Sequence, residues 1–507
     1  MLQEKSIFWK EINNNPYIFV NLVFAFFPFS FILGSLFVNL NLLLFCCLGI
    51  FYLRSKILRT KYDLIIKIIF LFFLIVFLST TLNVIKSYYF DGHHSDIYLD
   101  QFLKSIFFFR YFLFLIITYL LNKYDILDFK YFFLAAAFAA TLVSIDLIYQ
   151  YIFGFNLIGL ENPFPSTGVA DKDKPISFWT ERLALYPRNS GFFGDEYIAG
   201  GYIQRFAFFT IFSVIFLFKN KSYTKFIFLL TIICILGVGI LFAGNRTPLI
   251  LFIFGLFLIF LFNLKIKKIL FISLISLLTI LTFIISSNKS YKHNFHNLFV
   301  HIKSMSYLPA TIIWPQLKKI DEQPPEIKKF FYQVRKVRLE TWHERLFLTA
   351  IDTWKFNKIY GNGIKSFRNV CHKLGERKGI NMEERMYTNI RPVAPEEVFY
   401  FGKKNRLCSN HPHNYYLEIL TETGAIGLII ISIIALMFII FLFKNYKLIN
   451  KISLENFVLL SAIISLLVEA IPVRSSGSLF TTNNATYLIL IASIILSYKK
   501  ILKIKIE

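Results

Sequence analysis

Residues Cys408 to Ile430 read CSNHPHNYYLEILTETGAIGLII, a polar, histidine-rich corner that passes into a helix wholly apolar beyond Gly427. Imidazole titrates near neutrality, so His413 at the lip of such a helix has the chemistry of a general base toward a hydroxyl that must lose its proton to attack. The competing reading is that His411 and His413 cap the helix and anchor it among lipid headgroups. His411 and Asn414 flank His413 and are the nearest candidates to touch a substrate. A metal reading of His-Pro-His finds little support, because no carboxylate or cysteine cluster of ligand spacing accompanies it. Neither a metal nor a cofactor is expected.

Two arginines suit an anion. Arg246 lies in AGNRTPLIL, a short turn between two apolar runs, whereas the comparable turn at Gly34-Ser35 carries no charge. A guanidinium fork is a natural partner for a phosphate or diphosphate. Arg345, in HERLFLTA, offers a second fork, with a solvated helix face as its alternative.

The elements that must hold these residues follow from composition. The chain has 507 residues, is 56% hydrophobic, contains 61 Phe and carries a net charge of +24; its mean hydropathy is +0.57. A soluble domain of this size is not that apolar, and the expectation is an all-α polytopic membrane protein. Short alternating strands of a β-barrel are absent from the pattern. Apolar runs give about twelve spans, near Tyr17–Leu33, Val38–Leu53, Leu64–Ile85, Lys104–Leu121, Tyr131–Phe153, Gly201–Phe218, Phe226–Ala243, Pro248–Phe262, Ile269–Ser286, Ala425–Phe443, Phe457–Ile471 and Ala485–Tyr498.

The positive charge sits largely in short loops such as Arg54–Asp63, Lys219–Lys225 and Lys444–Lys451. That distribution marks membrane orientation and not a nucleic-acid partner, and it puts both termini in the cytoplasm and His413 outside. The first span has no signal-peptide pattern and is expected to be retained.

The organisation is then residues 1–286 with nine spans, a cap at 287–411, and 412–507 with three more; a second outer segment covers 154–200 and carries Pro163, Pro165, Pro175 and Pro187. Within the cap, ETWHERLFLTAIDTWKFNKIYGNGIKSF reads as an amphipathic interfacial helix ended by Gly361-Asn362-Gly363. Cys46, Cys47 and Cys234 fall in apolar runs, while Cys371 and Cys408 share the cap and would pair in an oxidising compartment. Arg110, Asp146, Arg205 and Glu469 fall in the outer parts of spans. Such charges face a cavity or each other. One reading is an outward polar pocket containing Arg205, with Arg188 and Arg474 at its rim; ion pairing, for example Arg110 with Asp146 or Glu469, is the other.

His413-Asn414, nine further residues, then Gly424 and Gly427 form the pattern His-Asn-x9-Gly-x-x-Gly. This pattern resembles the O-antigen ligase family, within a superfamily shared with O-antigen polymerases. The large loop before a late span and the placements of Arg246 and Arg345 are similar as well. The resemblance implies a GT-C type glycosyltransferase of the bacterial inner membrane. Its donor would be a glycan on a polyprenyl diphosphate, its acceptor a hydroxyl such as that of lipid A core, and its catalysis metal-independent. Arg246 and Arg345 would hold the diphosphate and His413 would activate the acceptor. A polymerase of the same superfamily is the alternative, and from another class a transporter of polysaccharide or lipid-linked sugar. A transporter more often places its polar site at the midplane of repeated halves, and no repeat is found here.

Overall fold

The computed structural model describes residues 16–90, 96–161, 188–262, 266–292, 295–296, 342–374, 382–384, 406–449, 453–472 and 474–498. The chain is built of helices in the order α1 (Ile18–Ala25), α2 (Phe27–Leu33), α3 (Ser35–Leu53), α4 (Lys56–Arg59), α5 (Leu64–Phe90), α6 (Asp96–Lys123), α7 (Phe129–Phe153), α8 (Ala199–Leu217), α9 (Ser222–Phe242), α10 (Arg246–Phe262) and α11 (Lys267–Ser287). There follow α12 (Trp342–Trp354), α13 (Phe367–Val370), a short parallel pair β1 (Met382–Glu384) and β2 (Arg406–Cys408), α14 (Tyr415–Ile449), α15 (Leu454–Glu469) and α16 (Thr482–Leu496).

Eight of these helices are long and apolar enough to cross a membrane, and shorter apolar helices join them. Every one of the expected spans has a helical counterpart. The first is split into α1 and α2 at Phe26, beside Pro28, which lacks the N–H that would continue the ladder.

The bundle is organised around α8, which packs on α7, α9, α10 and α15 and is 72% buried over its apolar window, against 11% for α14. Lipid tails are as apolar as the side chains, so close fit rather than expulsion of water favours these contacts. Small residues make the fit possible. A Cβ on Gly255 of α10 would lie 2.1 Å from the Phe208 ring of α8, and one on Gly239 of α9 would lie 2.9 Å from Ser144 of α7.

The cap has its own small core, in which Leu346 and Ala350 of α12 meet Phe367, Cys371, Leu407 and Cys408. Cys371 and Cys408 form a disulfide with Cα atoms 5.7 Å apart, closing 37 residues. Cross-linking a loop of that length restricts the unfolded chain and contributes about 4 kcal/mol. The Cys371→Ser/Cys408→Ser protein is therefore expected to melt several degrees lower in detergent. Equal melting temperatures would remove the bridge from the stability of the cap.

One expectation is corrected. The interfacial helix ends at Trp354 and not at Gly361, because residues 358 and 359 leave helical pairing to bond with α14. The prolines of the 154–200 segment and most of the 287–411 cap lie outside the described residues.

Candidate active site

The helix that carries the histidine corner is two helices in one. At Gly424 φ is +69° and ψ is −167°, a conformation essentially confined to glycine. The break frees the carbonyls of Thr421 and Glu422 and the amides of Ala425 and Ile426, which in a continuous helix would pair with each other. The cap replaces them. Asn362 N donates to Thr421 O and Gly363 N to Glu422 O, each at 2.9 Å, while Ala425 N donates to Lys358 O at 2.9 Å and Ile426 N to Ile359 O at 3.2 Å.

The two backbones touch. A Cβ on Gly424 would lie 2.2 Å from Ile359 O, and one on Gly361 would lie 2.4 Å from Glu422 C. Asn362, buried in this joint, also donates through Nδ2 to Thr353 O of α12 at 3.2 Å and Thr421 O at 3.0 Å. The joint fixes the helix bearing Arg345 against the helix that follows His413.

The head of α14 is capped by Asn414. Its Oδ1 accepts from Tyr416 N and Leu417 N, both at 3.1 Å, a helix N-cap worth about 1 kcal/mol. Its Nδ2 donates to Pro472 O at 2.6 Å and to Arg474 O at 3.3 Å. The capping role read for the histidines thus falls to their neighbour.

His413 has φ +55°, an uncommon backbone for a side chain with a Cβ. Its carbonyl is held by Ser476 N at 2.9 Å. The His411 ring lies 4.1 Å from the His413 ring, and the His343 ring of α12 lies 5.5 Å from it. His343 Nδ1 also meets Ser475 Oγ at 3.4 Å. Sequence reading passed over His343; the available signal was its place two residues before Arg345 in WHER.

Beneath this cluster is a charge network on Glu469, whose side chain is 0% exposed. Arg474 grips it bidentately, Nη1 to Oε2 at 2.9 Å and Nη2 to Oε1 at 2.8 Å. Arg205 Nη2 donates to Glu469 Oε1 at 2.8 Å, to Asn484 Oδ1 at 2.7 Å and to Tyr415 OH at 3.3 Å. Tyr415 in turn donates to Glu469 Oε1 at 3.0 Å. Two guanidinium groups against one carboxylate leave a net positive floor. The pairing differs from the one considered for Arg110, which instead donates to Tyr111 OH and Phe107 O.

Arg246 opens α10 directly after Asn245, whose Nδ2 donates to Tyr197 O at 3.2 Å. Asn189 Nδ2 donates to Phe242 O at 2.8 Å, so the segment holding Arg188 lies on the turn before α10. Burial pushes the Tyr197 phenol up and the nearby Arg188 charge pulls it down. A Cβ on Gly200 would lie 2.9 Å from Asn245, which seats the start of α8 against the same turn. Arg205 lies five residues further along α8, about 7.5 Å at the helical rise. Arg188, Arg205, Arg246 and Arg474 therefore gather at one end of the bundle with Asn414 and His413, and the helix that carries Arg345 meets that cluster through His343.

Helices and site together define a multi-pass α-helical membrane protein with arginines and a histidine corner at the end of its bundle. Residues 229–432 match the family model described as O-antigen ligase. This segment is thus similar to the O-antigen ligase family, part of a superfamily of glycosyltransferase-like enzymes. The matched stretch runs from α9 into α14 and holds Arg246, Arg345, His411, His413 and Asn414, whereas Arg188, Arg205 and Arg474 fall outside it. No curated protein matches the chain.

Proposed function

We propose that the protein is an O-antigen ligase-like glycosyltransferase of GT-C type. It moves a glycan from a polyprenyl-diphosphate carrier to a hydroxyl of lipid A core, at the periplasmic face of the bacterial inner membrane. The observation that carries this reading is the meeting of α12 with the head of α14. It sets the ring of His343 5.5 Å from His413 and so brings the Arg345 helix to the candidate base.

In this reading His413 takes the proton of the acceptor hydroxyl as its oxygen attacks the anomeric carbon. The bond from that carbon to the diphosphate oxygen breaks, and the polyprenyl diphosphate leaves with its electron pair. Arg246 and Arg345 face the charge that develops there, and fixed positive groups at a leaving phosphate are a large catalytic contribution. Arg188, Arg205, Arg474, His411 and Asn414 shape the surrounding site, Arg205 and Arg474 through Glu469 and Asn414 through its cap. Lys-rich loops on the opposite side favour a cytoplasmic location for both termini. The disulfide in the cap favours an oxidising compartment for His413.

Membranes with wild type or His413→Ala, given polyprenyl-diphosphate oligosaccharide and lipid A core, test the proposal on a gel of glycolipid products. Wild type is expected to load the core, and the variant to do so about 100-fold more slowly at equal expression, as for loss of a general base. Growth of the glycan on the polyprenyl carrier without core loading assigns a polymerase instead. An active His413→Ala protein rejects the base.

A further inference from the structure

One buried acid of α14 takes no part in the proposed transfer. Glu418 lies one turn beyond the histidine corner and is 1% exposed. Its Oε1 accepts from Ser478 Oγ at 2.5 Å and its Oε2 from Leu479 N at 2.6 Å. A buried carboxylate is costly unless its oxygens accept hydrogen bonds. Here both oxygens are met by one short stretch, residues 474–481, between α15 and α16.

The same stretch reaches the candidate base. Ser476 N donates to His413 O at 2.9 Å, and Arg474 O accepts from Asn414 Nδ2 at 3.3 Å. Ser475 Oγ meets His343 Nδ1 at 3.4 Å, and Arg474 carries the bidentate grip on Glu469. Asn484 closes the other side, its Nδ2 donating to Ser478 O and its Oδ1 accepting from Arg205 Nη2, each at 2.7 Å. Gly477 alone separates the residue that holds His413 from the residue that meets Glu418. The place of the Ser476 amide is therefore set from Glu418. The left-handed backbone of His413, with φ +55°, is a conformation that persists only where its surroundings over-determine it, and the Ser476 bond and the Asn414 cap do so.

We propose that Glu418 is a positioning residue for the transfer: through Ser478, Leu479 and the amide of Ser476 it fixes the backbone of His413, and with it the imidazole, above the Glu469 network. The assignment rests on the function proposed above, and it extends the candidate site to a stretch beyond the matched residues 229–432. Without the carboxylate, Ser478 and Leu479 lose the acceptors that draw the stretch onto α14. Ser476 N then leaves His413 O, the histidine relaxes to an ordinary backbone, and its ring moves off the acceptor hydroxyl. A displacement of about 1 Å at a reacting contact can cost up to about 100-fold in rate. The hold needs acceptor geometry and not charge. Glutamine in this place keeps an oxygen for Leu479 N and turns its amide to Ser478 Oγ.

The full chain in phosphatidylcholine nanodiscs tests this with Glu418→Ala and Glu418→Gln, each with and without His413→Ala. Hydrogen exchange of the 474–481 amides is expected to quicken about 10-fold in Glu418→Ala and to match wild type in Glu418→Gln. In the transfer assay Glu418→Ala is expected to lower kcat about 10-fold with both KM values unchanged, and Glu418→Gln to keep the wild-type kcat. Once His413→Ala is present, Glu418→Ala should cost nothing further, because its effect passes through that ring. Unchanged exchange in Glu418→Ala, a wild-type kcat in that variant, or an equal loss with and without His413 overturns the assignment. Should Glu418→Ala fail to fold, Ser478→Ala removes one of the two donors and carries the same comparisons. Absence of transfer by wild type defeats the proposed function alone, since exchange needs no turnover and still decides whether Glu418 holds the stretch on His413.

Discussion

Gly424→Ala is expected to yield no stable, active protein. The new Cβ would lie 2.2 Å from Ile359 O, and the contact is backbone on both sides, so no side chain can swing away. The backbone angles are themselves nearly forbidden to alanine. Relief would require the cap to withdraw from α14, breaking the four exchanged backbone hydrogen bonds, each worth about 1 kcal/mol. With overpacking added, the loss is about 5 kcal/mol. Gly361→Ala should behave alike, because its Cβ meets Glu422 from the other side. Fluorescence-detected size exclusion and melting in detergent check this. A Gly424→Ala protein that is monodisperse, melts with wild type and transfers glycan would show that the joint is dispensable.

Glu469→Gln is expected to be nearly as damaging. The carboxylate holds two largely buried guanidinium groups, 17% and 10% exposed, and accepts from Tyr415. Its neutralisation leaves Arg205 and Arg474 facing each other at low dielectric, at a cost of about 3–5 kcal/mol. The double variant Glu469→Gln/Arg474→Gln removes one of the opposed charges and should recover part of that loss, both in melting temperature and in transfer. Strict additivity of the two substitutions, which residues in contact should not show, would remove the network from the architecture of the site.

The spans were legible in the sequence because the bilayer imposes a length and a polarity that hydropathy reads directly. The His-Asn corner and the arginines stand out for the same reason, since charge near hydrocarbon needs an explanation. What escaped was long-range pairing. The corner reads as passing directly into a helix that is apolar beyond Gly427, and nothing local shows that Thr421 and Glu422 bond to residues 362 and 363 instead of 425 and 426. The end of α12 was placed late for that reason, because Lys355 to Tyr360 have helix-compatible side chains but must unwind to reach α14. Arg205 and Glu469 were singled out separately, yet their union depends on packing of α8 against α15, which sequence spacing does not encode. The cap that Asn414 makes on α14 is a role that its spacing alone did not show.

The interleaving of the cap with α14 also constrains biogenesis. The lower half of α14 can enter the membrane as soon as it is made, but its top turn has unpaired amides and carbonyls until residues 358–363 arrive. In the orientation proposed above those residues are translocated first, so the span is completed only once its own preceding loop is in place. The disulfide bears on the timing. Closing 37 residues within the stretch between residues 363 and 421 shortens the chain that must be brought to rest, a saving in loop entropy of roughly 1 kcal/mol. Oxidation of the cap and completion of the neighbouring span are thus coupled steps, and without the Cys371–Cys408 bond the joint between cap and α14 is harder to close.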